Sequence, residues 1–169
     1  NLRCKWCDTP KTFGKDFEVL TTWNILARVR ETDPSIVVLT GGEPLIQPWL
    51  DRLLTVLCKR YSIHIETNGT IRPQFDVNLV DHFTVSPKLS SSGMYQKLNI
   101  DLLKWFAQFA PYFVEFKFVI SDEIDYREMK DIVRQCHWED AVYLQPVNND
   151  VKIARKLIEW ILDDKAWNF

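Results

Sequence analysis

Glycine is scarce in this chain of 169 residues: five in all, about 3% where ~7% is ordinary. No repeat, low-complexity tract or Pro/Gly/Ser-rich linker divides it, so a single domain over 1–169 is expected at roughly 100–200 residues per domain. A basic excess is missing as well. Twenty-one Lys and Arg stand against 23 Asp and Glu, giving a net charge of −2 and a pI near 5.9, which argues against a domain that grips phosphate backbones. Long hydrophobic runs are also missing: stretches such as Ile36 to Leu39 fall far short of the roughly 20 residues that cross a bilayer, and no signal-peptide pattern opens the sequence. Neither nucleic acid nor a membrane is therefore an expected partner, and the expected compartment is the cytoplasm. What is present is apolar and aromatic residues, 46% and 13%, enough for a sizeable core and too much for a disordered chain.

In a reducing compartment the four cysteines point to metal binding or catalysis rather than to disulfides. Cys4 and Cys7 form a C-x2-C pair, while Cys58, on an apolar helical face, and Cys136, at a helix end, read as packing residues. The sequence starts at Asn1 without a Met and reaches its first cysteine three residues later. A fragment of a longer protein is the expectation.

Short β-branched runs alternate with longer amphipathic stretches. Strands are predicted at Ile36 to Leu39, Ile63 to Ile65, Phe83 to Val85, Val114 to Ile120 and Ala141 to Leu144. Helices are predicted at Thr22 to Glu31, Trp49 to Arg60, Ile100 to Phe109, Tyr126 to Gln135 and Val151 to Leu162, with Asp125 and Asn149 or Asp150 as N-caps. The Ser90-Ser91-Ser92-Gly93 stretch reads as a surface loop, and Trp49, Trp105, Trp138, Trp160 and Trp167 as core or interface. This alternation implies an α/β fold with a mainly parallel sheet buried on both faces and short connecting helices. Five strands are too few for a closed eight-stranded barrel, so a partial, open TIM-like barrel is expected.

The unusual residues fall where strands end: Thr40-Gly41-Gly42-Glu43-Pro44, Glu66-Thr67-Asn68-Gly69-Thr70, Ser86-Pro87-Lys88 and Gln145-Pro146-Val147-Asn148. In parallel α/β folds those ends converge on one rim, where ligands bind. Gly41, Gly42 and Gly69 are on this rim, as close backbone approach to a ligand would require.

Each motif also has a plainer explanation. The C-x2-C pair suits half a zinc site, a redox dithiol or part of an iron-sulfur site. Zinc needs two more close Cys or His, yet Cys58 and Cys136 are isolated and His64, His82 and His137 form no ligand pair. Gly41-Gly42-Glu43-Pro44 is equally a tight strand-to-helix turn with Pro44 near the helix start. In the functional reading the Glu43 carboxylate faces the rim and accepts from a ligand ammonium. Glu66 suits a ribose hydroxyl or a solvated strand end; Ser86 and Lys88 suit a sugar and a carboxylate or carbonyl, or an ordinary exposed loop. Thr9 by itself reads as a turn or cap hydroxyl.

Taken in order, Cys-Lys-Trp-Cys-Asp-Thr at 4–9, Leu-Thr-Gly-Gly-Glu-Pro at 39–44, Glu-Thr-Asn-Gly-Thr at 66–70, Ser-Pro-Lys at 86–88 and Leu-Gln-Pro-Val-Asn at 144–148 resemble the motifs of radical S-adenosylmethionine enzymes. More narrowly, they resemble those of the 7-carboxy-7-deazaguanine synthase family of queuosine and deazapurine biosynthesis. The resemblance covers nearly the whole chain. It implies a 4Fe-4S cluster whose C-x3-C-x2-C motif contributes Cys4 and Cys7 as second and third ligands, with the first directly before Asn1. It further implies that an earlier strand and a final strand are missing, that 1–169 is a radical S-adenosylmethionine core truncated at both ends, and that such a fragment is a poor lyase.

The resemblance assigns Trp6, Asp8, Gly41, Gly42, Glu43, Glu66, Ser86, Pro87, Lys88, Gln145, Pro146 and Asn148 to S-adenosyl-L-methionine, Thr9 to a Mg2+ ion, and Thr40 to the substrate. Three thiolates leave one iron open for the amino and carboxylate groups of S-adenosylmethionine. The reaction implied is radical-mediated ring contraction of 6-carboxy-5,6,7,8-tetrahydropterin with loss of ammonia. Expected partners are the pterin, a flavodoxin-like electron donor and a second copy of the chain. A glycyl-radical-activating enzyme shares the cluster and Gly-Gly-Glu-Pro motifs, but Trp6, Asp8 and Thr9 argue against it; a zinc-binding interaction module is the alternative outside the enzyme class.

Overall fold

The computed structural model describes residues 1–10, 14, 17–109 and 114–164; Trp167 lies outside them. Five strands, β1 (Ile36–Leu39), β2 (Ser62–Thr67), β3 (His82–Val85), β4 (Val114–Ile120) and β5 (Val142–Pro146), form one sheet. All pairings are parallel and the spatial order is the sequence order. A doubly wound sheet would reverse its order partway; here each strand is added beside the last, as in an unclosed barrel. The helices are α1 (Thr22–Thr32), α2 (Leu50–Leu57), α3 (Ile100–Phe109), α4 (Glu123–Gln135) and α5 (Val151–Asp163). The β2–β3 crossover instead uses a 3-10 turn, Val77–Leu79, and is tied by the Asp81 carboxylate accepting from the Ile63 N–H at 2.7 Å. Among the described residues no helix is long and apolar enough to cross a membrane.

Period-two alternation decides which sheet face is dry. Ile63, Ile65, Phe83, Val85, Phe116, Phe118 and Ile120 are buried against helix residues such as Leu54, Leu57, Leu103, Phe106 and Met129. The opposite face carries His64, Glu66, His82, Glu115, Lys117 and Tyr143, all half-buried or exposed. The sheet is thus buried on one face, not both as its parallel pairing suggested. The open side is the concave interior of an incomplete barrel, and its polar side chains line space rather than core.

Several local signals act differently from their sequence reading. Asp122, not Asp125, caps α4, accepting from the Asp125 N–H at 3.0 Å. Asp125 is buried and its carboxylate joins two segments by accepting from the Ser121 N–H at 2.9 Å and the Ser91 N–H at 3.1 Å. The serine stretch is correspondingly no surface loop: it is a 3-10 turn whose Ser92 is fully buried. Helix α5 is capped by Asp150. Gly69, at φ +72°, owes its place to packing, because a Cβ there would meet Leu103 Cδ2 at 2.8 Å and Val85 Cγ1 at 2.9 Å. Trp49, expected in the core or at an interface, is 64% exposed and stacks against Arg52. Cys136 is buried and Cys58 packs against the core.

Candidate functional site

Residues 1–7 are held over the strand ends by contacts to distant residues. The Lys5 N–H donates to the Ser92 carbonyl at 2.9 Å, the Trp6 indole Nε1 donates to Ser91 Oγ at 3.1 Å, and Asn68 Nδ2 donates to Asn1 Oδ1 at 2.8 Å. Between these anchors the Cys7 N–H turns back to the Cys4 carbonyl at 3.3 Å. Both thiols consequently face a cavity of about 570 Å³ over the carboxyl-terminal strand ends.

That cavity gathers most of the residues singled out in the sequence: Cys4, Trp6, Cys7, Asp8 and Thr9 from the N-terminal segment; Thr40, Gly41, Gly42, Glu66, Ser86 and Lys88 from the ends of β1 to β3 and the turns after them; and Gln145 near the end of β5 with Asn148 after it. Gly41 adopts φ +128° with nothing within 4 Å of where a Cβ would stand, leaving its backbone open toward the cavity. Asn148 and Asn149 both take left-handed backbone, a conformation Asn tolerates better than most residues, and both line the cavity.

Three predicted residues lie outside the lining. Pro87 is buried and Pro146 closes β5. Glu43, expected to face the rim, is turned inward and only 2% exposed. Its carboxylate accepts from Thr67 Oγ1 at 2.8 Å, the Asn68 N–H at 2.8 Å and the Leu45 N–H at 3.1 Å. Such a charge is held by donors converging from two loops. Glu43 therefore clamps the Gly-Gly turn to the end of β2, so that Gly41 and Gly42 present the cavity surface.

Electrostatics follow from this enclosure. Burial pushes the Cys4 thiol above the ordinary cysteine range, opposed by the ammonium of Lys88. Burial also holds the Lys88 amine below the usual lysine range; nearby Cys4 opposes that shift and Lys117 adds to it. Lys88 Nζ donates to Ser86 Oγ at 2.8 Å. On the other side of the cavity the Thr40 hydroxyl donates to Glu66 Oε2 at 3.3 Å, and the Thr9 hydroxyl donates to Asp8 Oδ1 at 3.3 Å.

Thr84, Lys117 and Val119 also line the cavity and were not anticipated. The signal was available: in Val114–Ile120 the alternate residues Phe116, Phe118 and Ile120 are buried, so Lys117 and Val119 must face the other way.

The donors at hand are chemically sorted. Cys4 and Cys7 offer soft thiolates suited to iron-sulfur ligation, and Asp8 and Thr9 offer the hard oxygens that Mg2+ prefers. Among the described residues no group of three or more His, Cys, Asp and Glu is arranged to hold a metal ion. The residues present thus fit two of the three thiolate positions of an open-cornered cluster, and they form no zinc site.

Comparison with known proteins agrees with this arrangement. The Radical SAM superfamily model matches residues 1–88. The 7-carboxy-7-deazaguanine synthase of Koribacter versatilis (strain Ellin345) is 36% identical over 98% of this chain and 78% of its own length. That of Clostridium acetobutylicum is 29% identical over 98% and 76%, respectively. The crystal structure of QueE from Escherichia coli superposes with a TM-score of 0.69 at 26% identity, covering 98% of this chain and 77% of that one.

Proposed function

The chain belongs to the radical S-adenosylmethionine superfamily and, within it, to the 7-carboxy-7-deazaguanine synthase family, and from that premise we propose how its cavity carries out a carbon-nitrogen lyase reaction, the ring contraction of 6-carboxy-5,6,7,8-tetrahydropterin to 7-carboxy-7-deazaguanine with loss of ammonia. The observation supporting this reading is that the Cys4 and Cys7 thiols share one cavity with Gly41-Gly42, Ser86-Lys88 and Gln145-Asn148.

The family implies a 4Fe-4S cluster and S-adenosyl-L-methionine, which together supply one-electron reductive cleavage and hydrogen-atom abstraction. In this reading Cys4 and Cys7 would contribute two of the cluster thiolates. Trp6 and Asp8 line the cofactor side, and the exposed backbone of Gly41 and Gly42 receives the methionine end. Glu43 acts one step removed, by holding that turn. Ser86, Lys88, Gln145 and Asn148 surround the nucleoside, with Pro87 and Pro146 fixing the chain path between them. Glu66 and Thr40, joined by a hydrogen bond, face the reacting ligands. Thr9, beside Asp8, would supply an oxygen ligand to a Mg2+ ion. Positioning and exclusion of water are the protein's share of such chemistry.

We place the protein in the cytoplasm, where its thiols stay reduced, supplied with electrons by a flavodoxin-like donor and assembled as a homodimer. The test is anaerobic reconstitution with iron and sulfide of the protein expressed from its full reading frame, followed by chromatographic detection of 7-carboxy-7-deazaguanine. A brown, turnover-competent protein whose colour and activity vanish in Cys4→Ala is expected. A colourless protein, or one that leaves the pterin unchanged, would overturn the reading.

A further inference from the structure

Among the described residues Lys117 is an amine without a hydrogen-bond or ion-pair partner, in a cavity wall where an amine needs one. It sits in the middle of β4 between the buried Phe116 and Phe118, which point to the helix side and so turn Lys117 into the cavity. Parallel register pairs Thr84 with Glu115, Val85 with Phe116 and Lys117 with Tyr143. Lys117 therefore stands level with Ser86, the residue just past the end of β3 and two before Lys88. Among the described residues Lys117 makes no hydrogen bond or ion pair, while Lys88 donates to the Ser86 hydroxyl and lies over the Trp6 ring at 5.9 Å.

The cavity does contain carboxylates, but they are engaged elsewhere. Glu66 accepts from Thr40 and Asp8 accepts from Thr9, and neither is ion-paired with Lys88 or Lys117 among the described residues. Glu115, next along the same face, is taken by Thr84 Oγ1 at 2.7 Å and by His82 Nε2 at 3.4 Å. Two amines thus share one wall of the cavity; Lys88 has Cys4, Glu43 and Asp8 near enough to favour its charge, whereas Lys117 has no carboxylate paired with it among the described residues. Partly desolvated like charges of this kind are relieved by an anionic ligand.

We propose that Lys117 is a specificity-determining residue that receives a ligand carboxylate in the cavity, with Lys88 adding to the local positive potential. The proposal rests on the function proposed above, which puts two carboxylate-bearing ligands in this space: the methionine end of S-adenosylmethionine and the acid group of the pterin. A phosphate ligand would satisfy the lysines equally, but neither ligand of that reaction carries one. Lysine fits the task because its single ammonium point charge needs no planar, two-pronged geometry.

The experiment compares ligands that differ only in the carboxylate, binding to the iron- and sulfide-reconstituted protein under anaerobic conditions, by calorimetry or quenching of Trp fluorescence. One pair is S-adenosylmethionine and decarboxylated S-adenosylmethionine; the other is 6-carboxypterin and pterin. Lys117→Gln is expected to weaken the carboxylate-bearing member of one pair by about tenfold or more, the loss of a charge-assisted hydrogen bond, and to leave its decarboxylated counterpart within about twofold. Lys117→Arg should recover much of the loss. The pair that responds identifies the source of the carboxylate. Equal weakening of both members, or no change in either pair, would overturn the subsite while leaving the broader function intact. Failure of the parent protein to bind any of the four would overturn both. Lys117→Met, which keeps the stem and removes the charge, repeats the test should Gln disturb the sheet, as judged by thermal unfolding.

Discussion

Replacing Glu43 with alanine removes the acceptor of two buried backbone N–H groups, those of Leu45 and Asn68, and of the Thr67 hydroxyl. The Thr67 O–H also loses its acceptor, but a hydroxyl can rotate toward another, and its oxygen still accepts from the Gly69 N–H at 3.2 Å. The two backbone N–H groups cannot rotate in this way, and Glu43, Thr67 and Asn68 are all buried. At about 1–3 kcal/mol for each orphaned donor, Glu43→Ala should cost about 2–6 kcal/mol. For a domain of this size that corresponds to a fall in Tm of roughly 4–24 °C at about 2–4 °C per kcal/mol. Glu43→Gln keeps one acceptor but points an amide N–H at a donor, so it should fall between the parent and Ala. The assay is urea or thermal unfolding of parent, Gln and Ala proteins without cofactor. A side chain whose main work is to touch a ligand would leave the ligand-free protein as stable as the parent. A Glu43→Ala protein within about 0.5 kcal/mol of the parent would refute the clamp.

Further predictions concern other parts of the molecule. Gly69→Ala should destabilise by about 2–5 kcal/mol, combining left-handed backbone with overpacking against Leu103 and Val85, whereas Gly41→Ala, with open space around its Cβ, should suffer only the backbone cost of about 1–3 kcal/mol; equal losses on denaturant titration would contradict the packing argument. Burial lifts the Cys136 thiol to about 11 from 9.0, and burial with Asp164 lifts Tyr126 to about 12 from 10.0. Both folded pKa values exceed the unfolded ones, so their contribution is complete below about pH 9 and is lost as pH rises through about 12. Cys136→Ala and Tyr126→Phe should flatten that decline in pH-dependent unfolding, and an unchanged slope in both would rule it out. Thr9→Ala should reduce the stimulation of turnover by Mg2+ in the reconstituted enzyme; retention of the full response would remove Thr9 from the metal.

Where a segment's local pattern and its tertiary environment agreed, the sequence was sufficient. Ile36–Leu39, Val114–Ile120 and Ile100–Phe109 begin and end where composition and turn residues placed them. Two aspartates three residues apart, by contrast, offer rival caps for α4, and nothing local distinguishes them. Asp122 takes the cap because the Ser90–Ser92 turn, arriving from elsewhere in the chain, claims Asp125. Glu43 illustrates the same limit at the site. Its motif correctly placed it at a strand end, but the direction of its carboxylate depends on Thr67 and Asn68, which lie 24 and 25 residues away. Lys117 was overlooked for the opposite reason: its signal was local, a charge between two buried phenylalanines, but the assumption of a sheet dry on both faces gave it nowhere to point.

The amino-acid order alone determined the alternation of strand and helix, the gathering of polar motifs at strand ends and the family of the thiol motif, because hydrophobic periodicity and turn chemistry act over a few residues. Only the tertiary structure decided which face of the sheet stays open, which carboxylates are consumed inside the fold and which amines remain for a ligand. Those outcomes depend on distances between strands and loops far apart in the chain, and on how completely their packing excludes water.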